Sequence, residues 1–339
     1  MRRRLLPVLA LLALLLVSGV LASLMVGEVH LSLGQIAESV VRGPGPASLR
    51  EQTLAHTLIW ELRLPRALLA AVVGMALALA GAVMQSLFRN PMADPYIVGV
   101  SAGAACGAVA AIVFKLPALA GAVSSVPPFA FLGALAATWL VYLLSRRGGR
   151  VPVATLLLTG IAVGALFTAA TSFLVITRQE SARVVLFWLM GSIAGAQWHQ
   201  VASVAAYAAL ALVVVAFYAR DMDVLLLGEE RAQELGVNVE RTRAVLLAAS
   251  SLAAAAAVSV TGLIGFVGLV VPHLVRLVVG PRHTLVLPGS LLCGGALLVY
   301  ADLLARSLTG SEIPIGVVTA FLGAPFFLYL LARQKPVTL

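Results

Sequence analysis

Long uninterrupted apolar stretches are the feature of this sequence that most restricts its fold. In the stretch from residue 64 to residue 88, LPRALLAAVVGMALALAGAVMQSLF, Arg66 is the only charged residue. An apolar stretch of about 20 residues is long enough to cross the hydrocarbon core of a bilayer as a helix. The composition agrees, because 61% of the 339 residues are hydrophobic and 11% are charged. The sequence therefore predicts an all-α membrane protein.

About ten transmembrane helices are expected, one for each apolar stretch. The stretches are about 5–26, 64–88, 96–114, 126–144, 151–177, 199–219, 244–260, 262–280, 284–308 and 314–332. The seventh and eighth abut, so a tight turn is predicted around Thr261–Gly265. The first stretch resembles a signal peptide, but its length exceeds the usual apolar core of roughly 7–15 residues. We expect it to remain attached as the first spanning helix.

The orientation of the helices follows from the positions of the 23 Lys and Arg residues. With both termini inside, most of them fall on the cytoplasmic side, as the positive-inside rule requires. This bias also accounts for the net charge of +9. Basic runs interleaved with aromatic residues are missing from the sequence, so we expect no nucleic-acid partner.

The sequence carries few signs of catalytic chemistry. It contains no Gly-Lys pair, which excludes a Walker A motif. The segment GVSAG, Gly99–Gly103, fits the nucleophile pattern G-x-S-x-G, but that pattern needs a strand before Ser101. Here the serine is predicted near the start of a membrane helix, where small residues allow close helix packing. An intramembrane serine hydrolase is therefore the weaker reading, and we expect no catalytic residue.

Metal and cofactor sites are not expected either. Cys106 and Cys293 lie in separate apolar stretches, so no disulfide framework is expected. The five His residues lack the close spacing of a metal site. Among them, His199, near the outer end of the sixth stretch, is the one candidate for ligation.

Two polar connections on the cytoplasmic side carry local structure signals. In the turn RNPMADP, residues 89–95, two prolines stiffen the chain and Asn90 and Asp94 can satisfy freed backbone groups. In the connection at residues 221–240, the segment GEERAQELG predicts a short helix. Glu229 lies near its positive start and Gly236 at its end.

Two further patterns point towards a transporter. The segment DPYIVGVSAGA, which begins at residue 94, resembles EIPIGVVTAFLGA, which begins at residue 312. The two copies begin on opposite sides of the predicted membrane, as the two halves of an inverted repeat do. Asp302 precedes Arg306 by four residues in the ninth stretch, so the two are expected to pair on one helix face.

Four ordered motifs, from about residue 60 to the C-terminus, identify a family by resemblance. They are LRLPRALLAAVVGMALALAGAVMQSLFRNPMADPYIVGVSAGAACGA, LGEERAQELGV, GLIGFVGLVVPHLVRLVVG, and ADLLARSL followed by EIPIGVVTAFLGAPFF. Together they resemble the FecCD-type permeases, the membrane subunits of type II ABC importers for cobalamin, haem and iron–siderophore chelates. The resemblance implies a single permease domain over residues 1–339 in the bacterial cytoplasmic (inner) membrane.

The same resemblance implies the partners and the working residues. The expected assembly is a homodimer with the path along its twofold axis, two separate cytoplasmic ATPases and an outer substrate-binding protein. Three kinds of site are implied: docking of the binding protein, contact with the ATPase, and the cytoplasmic gate. The residues are the arginines Arg63, Arg66 and Arg306, expected to be exposed, for docking; Gly228, Glu229, Ala232, Leu235 and Gly236 for the ATPase; and Asn90, Met92, Val153 and Ala154 for the gate. We call residues 89–95 the gate turn and residues 221–240 the coupling element.

One alternative function remains open from the sequence. A secondary carrier driven by an ion gradient would also be an all-helical membrane protein without a nucleotide motif. Such carriers usually place more acidic residues within their helices than this chain does. The sequence does not distinguish among cobalamin, haem and ferric siderophores as the cargo.

Overall fold

The computed structural model is a bundle of α-helices and describes residues 2–27, 29–43, 54–118, 124–308 and 312–333. A π-helical segment, Leu58–Arg63, joins α3 directly to α4, and 3-10 turns lie at Pro95–Val98 and Gln179–Ser181. In chain order the α-helices are α1 (Arg2–Met25), α2 (Leu33–Arg42), α3 (Leu54–Thr57), α4 (Leu64–Leu87), α5 (Val100–Val113), α6 (Val126–Ser145), α7 (Val153–Thr177), α8 (Ala182–Leu189), α9 (Trp198–Phe217), α10 (Ala219–Leu225), α11 (Glu229–Glu234), α12 (Val239–Thr261), α13 (Val267–Val279), α14 (His283–Ser307) and α15 (Ile315–Arg333).

Each of the ten apolar stretches contains one long helix, which confirms the all-α fold expected from the sequence. Among the described residues, seven helices are long and apolar enough to span a membrane. The other three apolar helices are α5, α13 and α15, of which α5 and α13, with 14 and 13 residues, are clearly shorter. At 1.5 Å per residue, a helix of 14 residues such as α5 covers only about 21 Å of a hydrocarbon core that is about 30 Å thick.

The shorter helices begin at non-helical segments that are packed inside the bundle. Before α5, the ring of Pro95 packs against Gly268 at the start of α13. Before α13, the turn at residues 262–266 follows α12, close to where the sequence predicts it. The two segments are joined because the Tyr96 hydroxyl donates a 2.9 Å hydrogen bond to the Ile264 carbonyl. Irregular backbone is tolerated at membrane depth where protein surrounds it.

Helix α4 forms the centre of the bundle. In the most apolar 18-residue segment of this span, 83% of the residues are buried. It approaches two neighbours at glycines. A methyl group on Gly74 would overlap the backbone of Gly294 in α14, and one on Gly81 would overlap the backbone of Gly268 in α13. Small residues thus bring three helix backbones close together, which increases dispersion contacts where lipid supplies no hydrophobic driving force.

Candidate functional site

The three arginines assigned to docking come together at the end of the bundle that the sequence predicts to face outwards. Arg63 is 8% exposed. Its guanidinium donates to the carbonyls of Leu24 and Met25 at the end of α1 and to that of Val29 just beyond. Arg63 therefore holds the end of α1 against the start of α4.

Arg66 and Arg306 meet at Asp302. The Nε and Nη2 atoms of Arg66 donate to the Asp302 carboxylate at 2.9–3.1 Å, and Nη1 donates to Glu312 at 2.7 Å. Arg306 lies 3.8 Å from Asp302. Its stronger hydrogen bonds go to Val26 and to Ser23. The sequence predicts the Asp302–Arg306 pair, which forms, but it does not reveal that Arg66 is the closer partner of Asp302.

The guanidinium groups of this outer arginine cluster point into the protein, whereas the sequence interpretation treats them as exposed. Each head group is bound to carboxylates or to backbone carbonyls that would otherwise be left without donors. Buried charges are stable only when paired in this way. The most exposed partner is the Glu312 side chain, 50% of which is accessible. Direct contact of Arg66 with a docking partner therefore requires this exposed carboxylate to be displaced or covered.

The gate turn is stiff for reasons that the sequence identifies. The Asn90 side chain accepts the Met92 N–H at 2.9 Å, and the Asp94 side chain accepts the Tyr96 N–H at 2.8 Å. Arg89 ends α4 with a φ of 47°, a left-handed conformation that costs a non-glycine residue roughly 1–2 kcal/mol. Burial raises the pKa of Asp94 to about 6, and the hydrogen bond from Tyr96 opposes part of that shift.

The coupling element folds as two short helices, α10 and α11. Gly228, with φ of 111°, precedes α11, and Gly236, with φ of 85°, follows it. The N–H of Gly236 donates to Gln233 and that of Val237 donates to Ala232, the paired bonds of a Schellman motif. The sequence prediction of a helix stopped at Gly236 is confirmed. Ala232 is fully buried between the two helices.

Three leucines of the coupling element face away from the bundle. Leu226 is 38% exposed, Leu227 is 56% exposed and Leu235 is 63% exposed. Leu225, by contrast, packs inside with Ala232. A short polar helix with an exposed apolar side offers a surface for another protein.

A buried ion cluster that the sequence interpretation missed joins the coupling element to α7. In this Arg243 cluster, Nη2 of Arg243 donates to Glu229 at 2.6 Å. Nη1 donates to the Val151 carbonyl at 2.6 Å and to Glu240 at 3.2 Å. The second oxygen of Glu240 accepts the Val151 N–H at 3.0 Å. The three-residue spacing of Glu240 and Arg243 is the only sequence signal for it.

A second missed cluster joins α10 to α4 and α14. The fully buried His283 ring contacts Asp223 of α10 through Nδ1 and Ser86 of α4 through Nε2, both at 2.6 Å. Arg276 reaches the same ring at 3.4 Å and also donates to Gln85 and to the Ala82 carbonyl. Both clusters involve partners distant in the sequence, so no local pattern identifies them.

The other predicted gate residues, Val153 and Ala154, lie at the start of α7, next to the Arg243 cluster. Val153 and Ala154 follow Val151 directly, and the Ala154 side chain is exposed. The preceding hairpin turns through Gly148 and Gly149, both with positive φ. Farther along, α7 exposes Ala165, Thr168 and Ser172 at helical spacing. Leu158 and Ile161 lie on the same face and are also exposed.

Two other candidate positions lie apart from these clusters. Ser101 occupies the first turn of α5, and a 3-10 turn rather than a strand precedes it. The context of a nucleophile elbow is therefore missing at Ser101. His199 lies in the first turn of α9, beside a cavity of about 390 Å³ that Phe131 and Tyr207 also line.

Two known proteins that are similar to this chain are named as permeases. The FecCD transport family matches residues 14–333. The cobalamin import system permease BtuC of Halobacterium salinarum is 54% identical over 83% of this chain and 75% of its own length. The haemin transport permease HmuU of Yersinia pestis is 43% identical over 86% of this chain and 90% of its own.

A solved structure agrees with the sequence matches. It is an inward-facing protein assigned to the metal-chelate type of ABC transporter. It superposes with a TM-score of 0.82 and 32% identity, over 97% of this chain and 99% of its own. The fold and these matches define a multi-pass permease subunit of the ABC importer class, which works with separate ATPase and binding-protein subunits. This chain belongs to the FecCD transport family.

Proposed function

We propose that two copies of this permease form a homodimer in the bacterial cytoplasmic membrane and carry a metal chelate inwards along their shared axis. Two cytoplasmic ATPases act on the two coupling elements, and a binding protein delivers the chelate from outside. The exposed leucines of the coupling element are the observation that carries this proposal. Leu226, Leu227 and Leu235 form an exposed apolar surface beyond the spanning helices, as a docking site for an ATPase requires.

The ATPase contact uses Gly228, Glu229, Ala232, Leu235 and Gly236 in different ways. Leu235 would contact the partner directly, because its side chain is exposed. Ala232 and the two glycines hold α11 in shape, through internal packing and positive φ angles. Glu229 is bound to Arg243 and thus joins the element to the rest of the permease. A rigid element attached by buried ion pairs can transmit the movement of a partner.

The cytoplasmic gate is formed by the gate turn and the start of α7. Asn90 and Met92 would face the path from one side, and Val153 and Ala154 from the other. The exposed small and hydroxyl residues of α7 continue the path towards the outer end. A path of this kind holds a bulky cargo loosely, since few charged side chains line it.

Binding-protein docking is proposed at the outer arginine cluster. Arg66 would exchange its exposed partner Glu312 for a carboxylate of the binding protein, because an arginine fork grips either in the same geometry. Arg63 and Arg306 would shape this surface by fixing the end of α1. They would support docking without contacting the partner.

Cobalamin is the first cargo to test, because the relative that is 54% identical is named as a cobalamin import permease. Haemin and ferric citrate follow, since further relatives are named for these. The chain would be reconstituted with candidate ATPases and binding proteins, and ATP hydrolysis measured with each loaded binding protein. We expect one of the three cargoes to stimulate hydrolysis. Failure of all three, with the complex assembled, would contradict the proposed cargo class.

A further inference from the structure

Glu229 of the coupling element lies between Arg89 and Arg243. Its Oε1 atom lies 2.6 Å from Nη2 of Arg243 and 3.9 Å from Nη2 of Arg89. Arg89 belongs to the gate turn. Arg243 is bound to Val151, two residues before Val153. The carboxylate at the first position of α11 therefore binds the Arg243 cluster directly and reaches the gate turn through a longer, partly exposed contact with Arg89.

The Arg243 cluster holds the start of α7 by its backbone. Both polar groups of the Val151 peptide are engaged, the carbonyl by Arg243 and the N–H by Glu240. The Arg243 side chain is only 4% exposed. Bonds to charged groups strengthen where water is excluded, so this attachment is far stiffer than a surface ion pair.

Movement of α11 must act on this cluster. If α11 shifts, Glu229 either carries Arg243 with it or leaves a buried guanidinium with one carboxylate fewer. The second outcome is strongly unfavourable because removing one partner exposes the full desolvation penalty of the other charge. Glu240 keeps Arg243 and Val151 together, so the two move as one body.

We propose that Arg243 is the positioning residue that transmits movement of the coupling element to the gate, with Glu229 linking it to Arg89 on the opposite side. This inference rests on the proposed function. Arg243 touches neither cargo nor ATPase, and it acts by fixing Val151 and, through Glu229, the gate turn. Its loss uncouples ATP hydrolysis from opening of the gate and leaves assembly of the complex intact.

The test compares wild type with Arg243→Gln, Arg243→Lys and the control Arg241→Gln. Arg241 lies on the same helix, is exposed, and has no ion pair in the described part of the chain. Amide exchange of residues 89–94 and 151–156 is measured in the purified permease. In proteoliposomes with ATPase and binding protein, cyanocobalamin uptake and ATP hydrolysis are then measured together.

For Arg243→Gln we expect faster exchange in both segments and uptake per ATP reduced about tenfold, with stimulated hydrolysis within about twofold of wild type. Arg243→Lys keeps the positive charge but not the forked guanidinium donors. We expect it to retain part of the coupling between ATP hydrolysis and uptake. Arg241→Gln should match wild type. Unchanged uptake per ATP, or hydrolysis and uptake lost in equal proportion, would overturn the proposal.

The exchange measurement separates this inference from the proposed function. Wild type that shows no stimulated hydrolysis with any cargo would count against the importer assignment of cargo and partners. In that case the amide-exchange measurement still tests the role of Arg243. Loosening of both segments supports it, and loosening of residues 151–156 alone refutes the link through Glu229 to the gate turn.

Discussion

The Nδ1 atom of His283 lies 2.6 Å from Oδ1 of Asp223, and the same carboxylate oxygen accepts the His283 backbone N–H at 2.8 Å. Asp223 belongs to the coupling element and His283 begins α14. The side chain of Asp223 therefore fixes the first residue of a spanning helix to the element that we propose to contact the ATPase. With the Arg243 cluster, the element has two separate attachments to the bundle.

Removing the Asp223 charge should weaken the first attachment. Asp223→Asn keeps the side-chain shape but replaces a charge-assisted acceptor with a neutral one. We expect a loss of about 2 kcal/mol in the free energy of unfolding, measured by thermal denaturation in detergent. Glu234→Gln is the control, because Glu234 is exposed at the end of α11. Equal melting temperatures for the two variants would contradict the role of Asp223.

Substitutions of Arg66 and of Glu312 should have different effects on the affinity for the binding protein. Arg66→Gln removes the fork that we propose to grip the partner, and we expect affinity to fall at least about tenfold. Glu312→Gln removes the internal competitor, so affinity should rise or stay unchanged. Binding is measured on immobilised permease in nanodiscs.

The control for this pair is Arg42→Gln. Arg42 forms an exposed ion pair with Glu38 on α2, and exposed pairs of this kind contribute little. We expect binding close to that of wild type. If Arg66→Gln and Arg42→Gln bind alike, Arg66 does not dock the binding protein.

Asp94 should make the stability of the permease depend on pH. Its pKa is raised to about 6, against about 3.9 for an unfolded chain. The folded state therefore binds the proton more tightly, and the free energy of unfolding falls as pH rises from about 4 to about 6 and then levels off.

Asp94→Asn removes this dependence, because the amide oxygen can still accept the Tyr96 N–H. Relative to wild type, we expect the variant to gain on the order of 2 kcal/mol between pH 4 and pH 7. Thermal denaturation across that range measures the difference. Parallel pH profiles for the two proteins would show that Asp94 is not the responsible group.

Two glycine substitutions test the close packing of α4. Gly81→Ala places a methyl group against the backbone of Gly268, which no side-chain rotation can relieve, so we expect a loss of about 3 kcal/mol or more. Gly164→Ala adds the same methyl group to α7, where nothing lies within 4 Å, and should stabilise the helix by up to about 1 kcal/mol. Similar melting temperatures would contradict this arrangement of helices.

Features that depend on neighbouring residues were predictable from the sequence. The apolar stretches gave the ten helices, Gly236 gave the end of α11, and Asn90 and Asp94 gave the hydrogen bonds of the gate turn. Each follows from side-chain hydrophobicity or from a hydrogen bond over one to three residues. These forces act before the chain has any tertiary structure.

Features that depend on distant residues were not predictable in the same way. Arg66 and Asp302 are 236 residues apart, and Arg243 and Val151 are 92 apart. The sequence indicates that each arginine needs a partner but not which one packing supplies. For this reason the outer arginines were expected to be exposed, and the Arg243 cluster was missed.

Cargo uptake into proteoliposomes with and without the ATPase tests the central claim most directly. The claim is that this permease supplies the path and its gate, while separate subunits supply the energy. With a loaded binding protein present, we predict uptake only when the ATPase is assembled on the permease and ATP is supplied on its side. Uptake by the permease alone, driven by a proton or sodium gradient, would contradict the account.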